Sequence, residues 1–313
     1  MTTRDKHGST TQPPTSGSKP RSAGDSPAER AVIRILAVGD VYGSLGRRAI
    51  KRLLPGLRAE THADLVIVNG ENSAGGRGIS MRTAREIRDA GADVITTGNH
   101  VWAQPDITQV LEDDDLCVIR PMNFPDPAPG SGVTQVSVKG RTITVMNVMG
   151  RIFMEPLDDP FRAIDTTLLT LEHDPAEGER PIVLVDVHAE ATSEKQAIAW
   201  YLAGRVSGVF GTHTHVPTAD ARVLPGGTGY VTDLGMTGPY DSIIGASVDL
   251  TIQRFLTQRS LRLRSPDSGD AVLNAVMFEI DAASGACLAV HRIDRQDAGG
   301  VEDDARAQGR APL

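Results

Sequence analysis

Cysteine is almost missing from this sequence: among 313 residues only Cys117 and Cys287 carry a thiol. A disulfide framework is thereby excluded. Each stands beside apolar residues (Leu116 and Val118, and Leu288), so both read as buried free thiols in a reducing compartment. Long apolar runs are missing too. No stretch reaches the roughly 18 apolar residues a membrane helix needs, and no apolar signal segment opens the chain, so a cytoplasmic protein with no membrane partner is expected. There is no long basic run, and the net charge is -8, which argues against a dedicated nucleic-acid or membrane surface. A small anionic substrate would need local positive charge such as metal ions. The absence of a G-x-S-x-G elbow disfavours a Ser-His-Asp hydrolase. No internal repeat is visible.

The chain is near the upper size for one domain, and 40% of it is hydrophobic, so one large domain with a sizeable core is expected. Residues 1–30 are rich in Ser, Thr, Pro and Gly and nearly empty of large apolar side chains, the composition of a disordered leader. Residues 296–313 share that character and are expected to form a disordered tail. The folded unit is expected over 31–295. Within it, short apolar runs alternate with amphipathic stretches, the pattern of a sheet covered by helices. Strands are expected at Val32–Val38, Leu65–Val68, Val94–Thr97, Val118–Arg120, Ile182–Val187 and Val206–Phe210. Hairpins are expected around Lys139-Gly140-Arg141 and between Val272–Ile280 and Cys287–Ile293. Helices are expected at Arg47–Ala59, at Ser80 to Ala90, at Phe161–Leu171, and from a Ser193/Gln196 capping box to Gly204. Arg47, Arg48, Lys51 and Arg52 read as the first helix's solvated face.

The chemistry stands at the strand ends. Strand one gives way to Gly39-Asp40, strand two to Gly70-Glu71-Asn72, and strand three to Gly98-Asn99-His100. Later strands end at His188 and at Gly211-Thr212-His213-Thr214-His215. Ligand sites of open α/β sheets lie beyond the carboxyl ends of the strands, so these residues can converge. Singly, each has an ordinary reading: Asp40 as a helix cap, Asn99-His100 as a turn, His188 as a core histidine, and the His-x-His pair as a solvated loop. Gly75-Gly76-Arg77-Gly78 reads as a flexible loop, because it lacks the strand-to-helix context of a dinucleotide site. His7 falls in the leader, and His62, His173 and His291 read as surface residues. Taken together, the strand ends carry carboxylates, carboxamides and imidazoles without a thiolate. That donor set suits Mn, Fe or Zn.

The order of these blocks resembles the calcineurin-like metallophosphoesterases. GDVYGSLGR, NGENSAGGRGI, TTGNHVW, RPMNFP, GTHTHVPTAD and DLGMTGPYDSIIG are similar to the YmdB-type branch, over about Ile33 to Gln258. The resemblance implies a four-layer α/β/β/α sandwich with mixed sheets. It also implies a centre of two metal ions, Fe or Mn with Zn as an option. Asp40, Glu71, Asn72 and His215 would hold the first ion and Glu71, Asn99, His188 and His213 the second. Tyr42 stands where the wider superfamily has a histidine, and Glu71 where it has a bridging Asp; both match the branch. Val101 replaces a common acidic residue, so a carboxylate partner for His100 must come from elsewhere. Tyr42 has a packing role open to it.

The implied activity is hydrolysis of 2',3'-cyclic nucleotides to 3'-nucleotides. Two cations about 3.5 to 4 Å apart can share a hydroxide and neutralise phosphoryl oxygens. His100 is the implied catalytic residue, protonating the leaving oxygen or steadying its charge. A phosphomonoesterase or broader phosphodiesterase shares that chemistry, and a regulatory protein binding a phosphorylated ligand or RNA end is the reading from another class. The partner is a small phosphoester, and a homo-oligomer is left open.

Overall fold

The computed structural model describes residues 31–171 and 180–298. The expected leader, the tail beyond 298, His7 and His173 lie outside them. The chain opens with β1 (Val32–Val38), the short β2 (Asp40–Val41) and α1 (Gly43–Thr61), then β3 (Leu65–Asn69), α2 (Met81–Asp89) and β4 (Val94–Thr96). A 3-10 turn (Val101–Ala103) and α3 (Ile107–Leu111) lead to β5 (Val118–Ile119), β6 (Val133–Val138), β7 (Arg141–Met149) and α4 (Pro160–Thr170). Next come β8 (Ile182–His188), α5 (Thr192–Tyr201), β9 (Gly208–Thr212), β10 (Arg222–Leu224), β11 (Thr228–Val231) and β12 (Met236–Pro239). α6 (Val248–Thr257), β13 (Ala271–Asp281) and β14 (Cys287–Asp297) close the fold.

The strands form two mixed sheets. One has eight strands, in the order β2-β12-β13-β1-β3-β4-β5 with β14 beside β13, and the other has six, in the order β10-β11-β9-β8-β7-β6. β1, β3, β4 and β5 run parallel in the first, and β7, β8, β9 and β11 run parallel in the second. Each central strand is apolar on both faces, which is why it reads as a continuous apolar run. Between the sheets, Ile33, Ile35, Leu65 and Ile67 meet Ile143, Val145, Leu184 and Phe210. The outer face of the first sheet (Leu36, Val38, Val66, Val68) packs under Ile50 and Leu54 of α1 and Ala84 and Ile87 of α2. The outer face of the second (Val183, Val185, Val187) packs under Ile164 of α4 and Ile198 of α5. This is the four-layer α/β/β/α sandwich.

Local signals account for several joints. Ser80 accepts from the Thr83 backbone N–H while the Thr83 hydroxyl accepts from the Ser80 N–H, a capping box that starts α2. Lys139 and Gly140 both have positive φ (50° and 78°), which lets a two-residue turn close the β6–β7 hairpin.

Other expectations need correction. α1 begins at Gly43, ahead of the expected Arg47. Its arginines are not simply a solvated face: Arg47 donates to Glu86 and to the Ser73 carbonyl, and Arg48 pairs with Asp297. Asp297 is the last residue of β14, paired with Ala271, so ordered pairing runs past the expected boundary at 295. The Ser193/Gln196 capping box is not formed. α5 starts at Thr192 without a side-chain cap, and Glu194 instead accepts from the Arg151 and Ile152 N–H groups. Cys287 is buried as expected, but Cys117 is only half-buried.

Candidate metal centre

The parallel strands of both sheets end on the same side of the sandwich, and their terminal residues meet there. Two glycines make the approach feasible. A Cβ on Gly98 would lie 2.2 Å from His188 Nε2 and 2.4 Å from Glu71 Oε2, and a Cβ on Gly211 would lie 1.8 Å from the Thr232 carbonyl oxygen. Neither clash could be relieved cheaply, since the obstructing groups are themselves buried.

His188 Nε2 is the middle of the cluster. It lies 3.2 Å from Glu71 Oε1, 3.0 Å from Asn99 Oδ1 and 3.1 Å from His213 Nδ1. Glu71, His188 and His213 each offer a donor atom within 4.8 Å of the others, close enough to share one ion. On the other side, Asn72 Nδ2 sits 3.1 Å from both Glu71 Oε1 and His215 Nε2. His215 Nε2 is 3.9 Å from Asp40 Oδ1, and Asp40 accepts from the His213 backbone N–H at 3.3 Å. Asp40, Glu71 and His188 are fully buried.

An outer ring of acceptors sets the imidazole tautomers. The Thr212 hydroxyl donates its one proton to Asp186 Oδ1 (2.7 Å), so its oxygen accepts from His188 Nδ1 at 2.9 Å. His213 Nε2 faces Glu190 Oε2 at 3.1 Å, and His215 Nδ1 faces the Ile244 carbonyl at 2.8 Å. A carboxylate and a carbonyl can only accept, so these nitrogens carry the protons. The opposite nitrogens, His188 Nε2, His213 Nδ1 and His215 Nε2, turn lone pairs into the cluster. There His188 Nε2 meets the Glu71 and Asn99 oxygens and His213 Nδ1, all of them acceptors, while His215 Nε2 faces the Asn72 amide. Acceptors converging on acceptors is an arrangement that a cation satisfies.

Burial and close charges shift several of these groups. Burial pushes the Asp40 carboxyl up to about 6, against the pull of His215 and His188. Burial also opposes charge on Glu71, but the neighbouring His188 and His100 hold its carboxyl well below the usual range. Burial, then His188, pushes the His213 ring down to about 3. Burial works against a charged His188 as well, yet Glu71, Asp40 and Asp186 hold it above its usual value. Neighbouring groups driven apart in this way mark a site of concentrated charge.

Residues 36–293 match the model of the YmdB-like protein family. The chain belongs to that family. It is 43% identical over 261 residues, 83% of this chain and 96% of the relative, to the 2',3'-cyclic-nucleotide 2'-phosphodiesterase of Bacillus subtilis (strain 168). Among solved structures, a hypothetical protein from Thermus thermophilus is 45% identical with a TM-score of 0.78, covering 85% of this chain and all (100%) of that one. A novel phosphatase from Mycoplasma pneumoniae is 33% identical with a TM-score of 0.79, covering 90% of this chain and 98% of that one. A 5'-nucleotidase precursor from Thermus thermophilus shares the fold alone, at 11% identity and a TM-score of 0.53, over 88% of this chain and 57% of that one.

In this YmdB-like chain every candidate ligand read from the sequence, Asp40, Glu71, Asn72, Asn99, His188, His213 and His215, reaches the cluster, and His100 stands at its edge. The missing carboxylate partner of His100 is Glu71, whose Oε1 lies 3.5 Å from Nδ1, with Asn72 Oδ1 nearer at 3.0 Å. Tyr42 packs edge-on to His215, with ring centroids 5.5 Å apart. The Gly75–Gly78 segment is an ordered turn, not a loose loop: the Gly76 N–H binds the Asn72 carbonyl and its backbone packs on the Tyr42 ring. His62 and His291 are exposed, as expected.

The surrounding ring was missed. Asp186 sits inside an apolar strand, Glu190 and Lys195 belong to segments without motif character, and Asp233 opens the DLGMTGPYDSIIG motif without a role assigned to it. Beside Asn99 and His213 stands Phe153, 89% exposed with φ 61°, which no periodicity singled out. No described helix is long and apolar enough to cross a membrane.

Proposed function

We propose that the chain is a dinuclear-metal phosphodiesterase that hydrolyses 2',3'-cyclic nucleotides to 3'-nucleotides. Asp40, Glu71, Asn72 and His215 would hold one ion, and Glu71, Asn99, His188 and His213 would hold the other. The observation that carries this reading is the set of three imidazoles whose outer nitrogens are all committed to acceptors, with inner nitrogens gathered in one buried cluster where His188 Nε2 meets Glu71 Oε1, Asn99 Oδ1 and His213 Nδ1 within 3.2 Å. The donors are oxygen and nitrogen without sulfur, which suits iron or manganese, with zinc compatible. Bound metal ions supply charge compensation for the phosphoryl oxygens and activation of water at neutral pH.

The protein's own residues do the rest. To ligate through oxygen, Asn72 turns its amide over, a change that leaves the heavy atoms where they are. Asn72 Nδ2 then faces His100 Nδ1 and donates to it, which places the ring proton on Nε2. That nitrogen has no partner among the described residues, and His100 lines the cavity beside the centre. It is therefore poised to protonate the departing oxygen of a cyclic phosphate. Tyr42, Phe255 and Ile244 line the same cavity and offer apolar surface to a nucleoside.

The name of the Bacillus subtilis relative supports the cyclic-nucleotide substrate. That of the Mycoplasma pneumoniae structure supports a monoesterase as the second reading. Incubation of the metal-loaded protein with 2',3'-cyclic AMP and with 3'-AMP separates them. The proposal expects 3'-AMP to accumulate from the cyclic substrate without release of free phosphate. Phosphate from 3'-AMP, with no opening of the cyclic ester, would establish the monoesterase instead.

A further inference from the structure

The cavity beside the metal centre has a volume of about 770 Å³ and extends away from the ligands to α6 and the strap that follows it. Its far wall is formed by Arg254, Phe255 and Arg259. Neither guanidinium has a hydrogen-bond or ion-pair partner among the described residues, although the chain as a whole carries a net charge of -8. In an acidic protein, two free arginines facing one cavity form a local field of opposite sign to the whole, and an arginine fork matches phosphate geometry. Phe255 between them is 71% exposed, which leaves its ring face free for a planar base. The one acidic residue lining the cavity apart from Glu71, Glu190, is engaged with His213.

A nucleoside 2',3'-cyclic phosphate carries a single phosphate, and that group belongs at the metal centre. It brings nothing for Arg254 and Arg259 to neutralise. We infer that this part of the cavity is a subsite for a second phosphate on the 5' side of the nucleoside, with Phe255 stacking on a base. The inference rests on the cyclic-phosphodiester reading above and extends it to the substrate class. The second phosphate can come from two sources: the 5'-phosphate of a mononucleotide, or the upstream phosphodiester of a short RNA ending in a 2',3'-cyclic phosphate. No bond to the second phosphate is made or broken.

Three substrates test it with the metal-loaded, full-length protein: adenosine 2',3'-cyclic phosphate, its 5'-phosphorylated form, and the dinucleotide ApA with a terminal cyclic phosphate. Charge-assisted hydrogen bonds to a phosphate correspond to a gain in kcat/KM of roughly tenfold to a hundredfold. That gain over the parent should fall as salt rises. A gain for the dinucleotide assigns the subsite to an RNA end, and a gain confined to the 5'-phosphorylated mononucleotide assigns it to the free phosphate. In Arg254→Gln with Arg259→Gln, the ratio of kcat/KM between the favoured substrate and the parent should fall toward one, and Phe255→Ala should lower it for the dinucleotide. Equal kcat/KM on all three, with ratios unmoved by the arginine variant, overturns the subsite while leaving the phosphodiesterase reading intact. No turnover of any of the three overturns both.

Discussion

Lys195 Nζ lies 2.7 Å from Asp233 Oδ2, both side chains are almost wholly buried, and both bind the Thr214 hydroxyl that sits between His213 and His215. The pair ties α5 to the loop that carries two candidate ligands. Removing one partner from a buried pair leaves an uncompensated charge and costs about 3–5 kcal/mol. Lys195→Met should therefore lower the unfolding free energy by about that amount in urea titrations, and should lose metal. Lys195→Met combined with Asp233→Leu should recover much of the stability, because no charge is left alone, but not the metal content. An unchanged urea midpoint for the single variant would show that the pair does not hold the loop.

His100 reaches no candidate ligand position through Nε2, so His100→Ala should keep its metal. A general acid typically contributes about 10² to 10⁴-fold in rate, and that loss is expected on 2',3'-cyclic AMP. With a nitrophenyl ester, whose leaving group departs without a proton, the loss should shrink. Equal losses on both substrates would instead assign His100 to phosphate binding, and loss of metal would make it a ligand.

The hydroxyl of Thr212 relays Asp186 to His188. Thr212→Val keeps the shape and removes the relay, so the ring is no longer held in the tautomer that points Nε2 inward. Outer-shell changes of this kind cost about 10- to 100-fold in metal affinity. A competition titration against a chelator measures it, and an unchanged affinity would contradict the tautomer argument.

The candidate site was legible in the sequence because each contribution is local: an apolar run, then a glycine, then a donor, as at Gly70-Glu71-Asn72 and Gly98-Asn99-His100. Its supporting ring was not, because Asp186, Glu190, Lys195 and Asp233 act across elements. Asp186 even interrupts the apolar run of β8 that announced the strand. The failed Ser193/Gln196 capping box has the same origin. A local pattern lost to a long-range one, in which Glu194 serves the backbone after β7. The short strands β10 to β12 went unread, since three or four residues show no periodicity, and so did α6, of which only Thr251 is buried.

Asp220 gives a pH dependence. Partial burial opposes its charge, but the Thr232 and Thr218 hydroxyls and the Thr232 N–H hold its carboxyl below the usual range. A carboxylate with a depressed folded pKa contributes stability that is fully present above its unfolded value of about 3.9 and is lost as pH falls through the lower folded value. Urea midpoints measured from pH 6 down to pH 3 should therefore fall less steeply for Asp220→Asn than for the parent. Identical slopes would mean that the hydroxyls do not favour the charged form.

Glu71 contacts His188, Asn72 and His100 at once and lies fully buried at the centre of the cluster. Glu71→Gln keeps its shape and removes the charge that two cations would share. Metal content per chain, measured together with turnover of 2',3'-cyclic AMP for parent and variant, tests the bridged centre most directly. The parent should hold two ions, and the variant should hold fewer and lose activity by orders of magnitude. A variant that retains two ions and near-normal turnover would contradict the bridge.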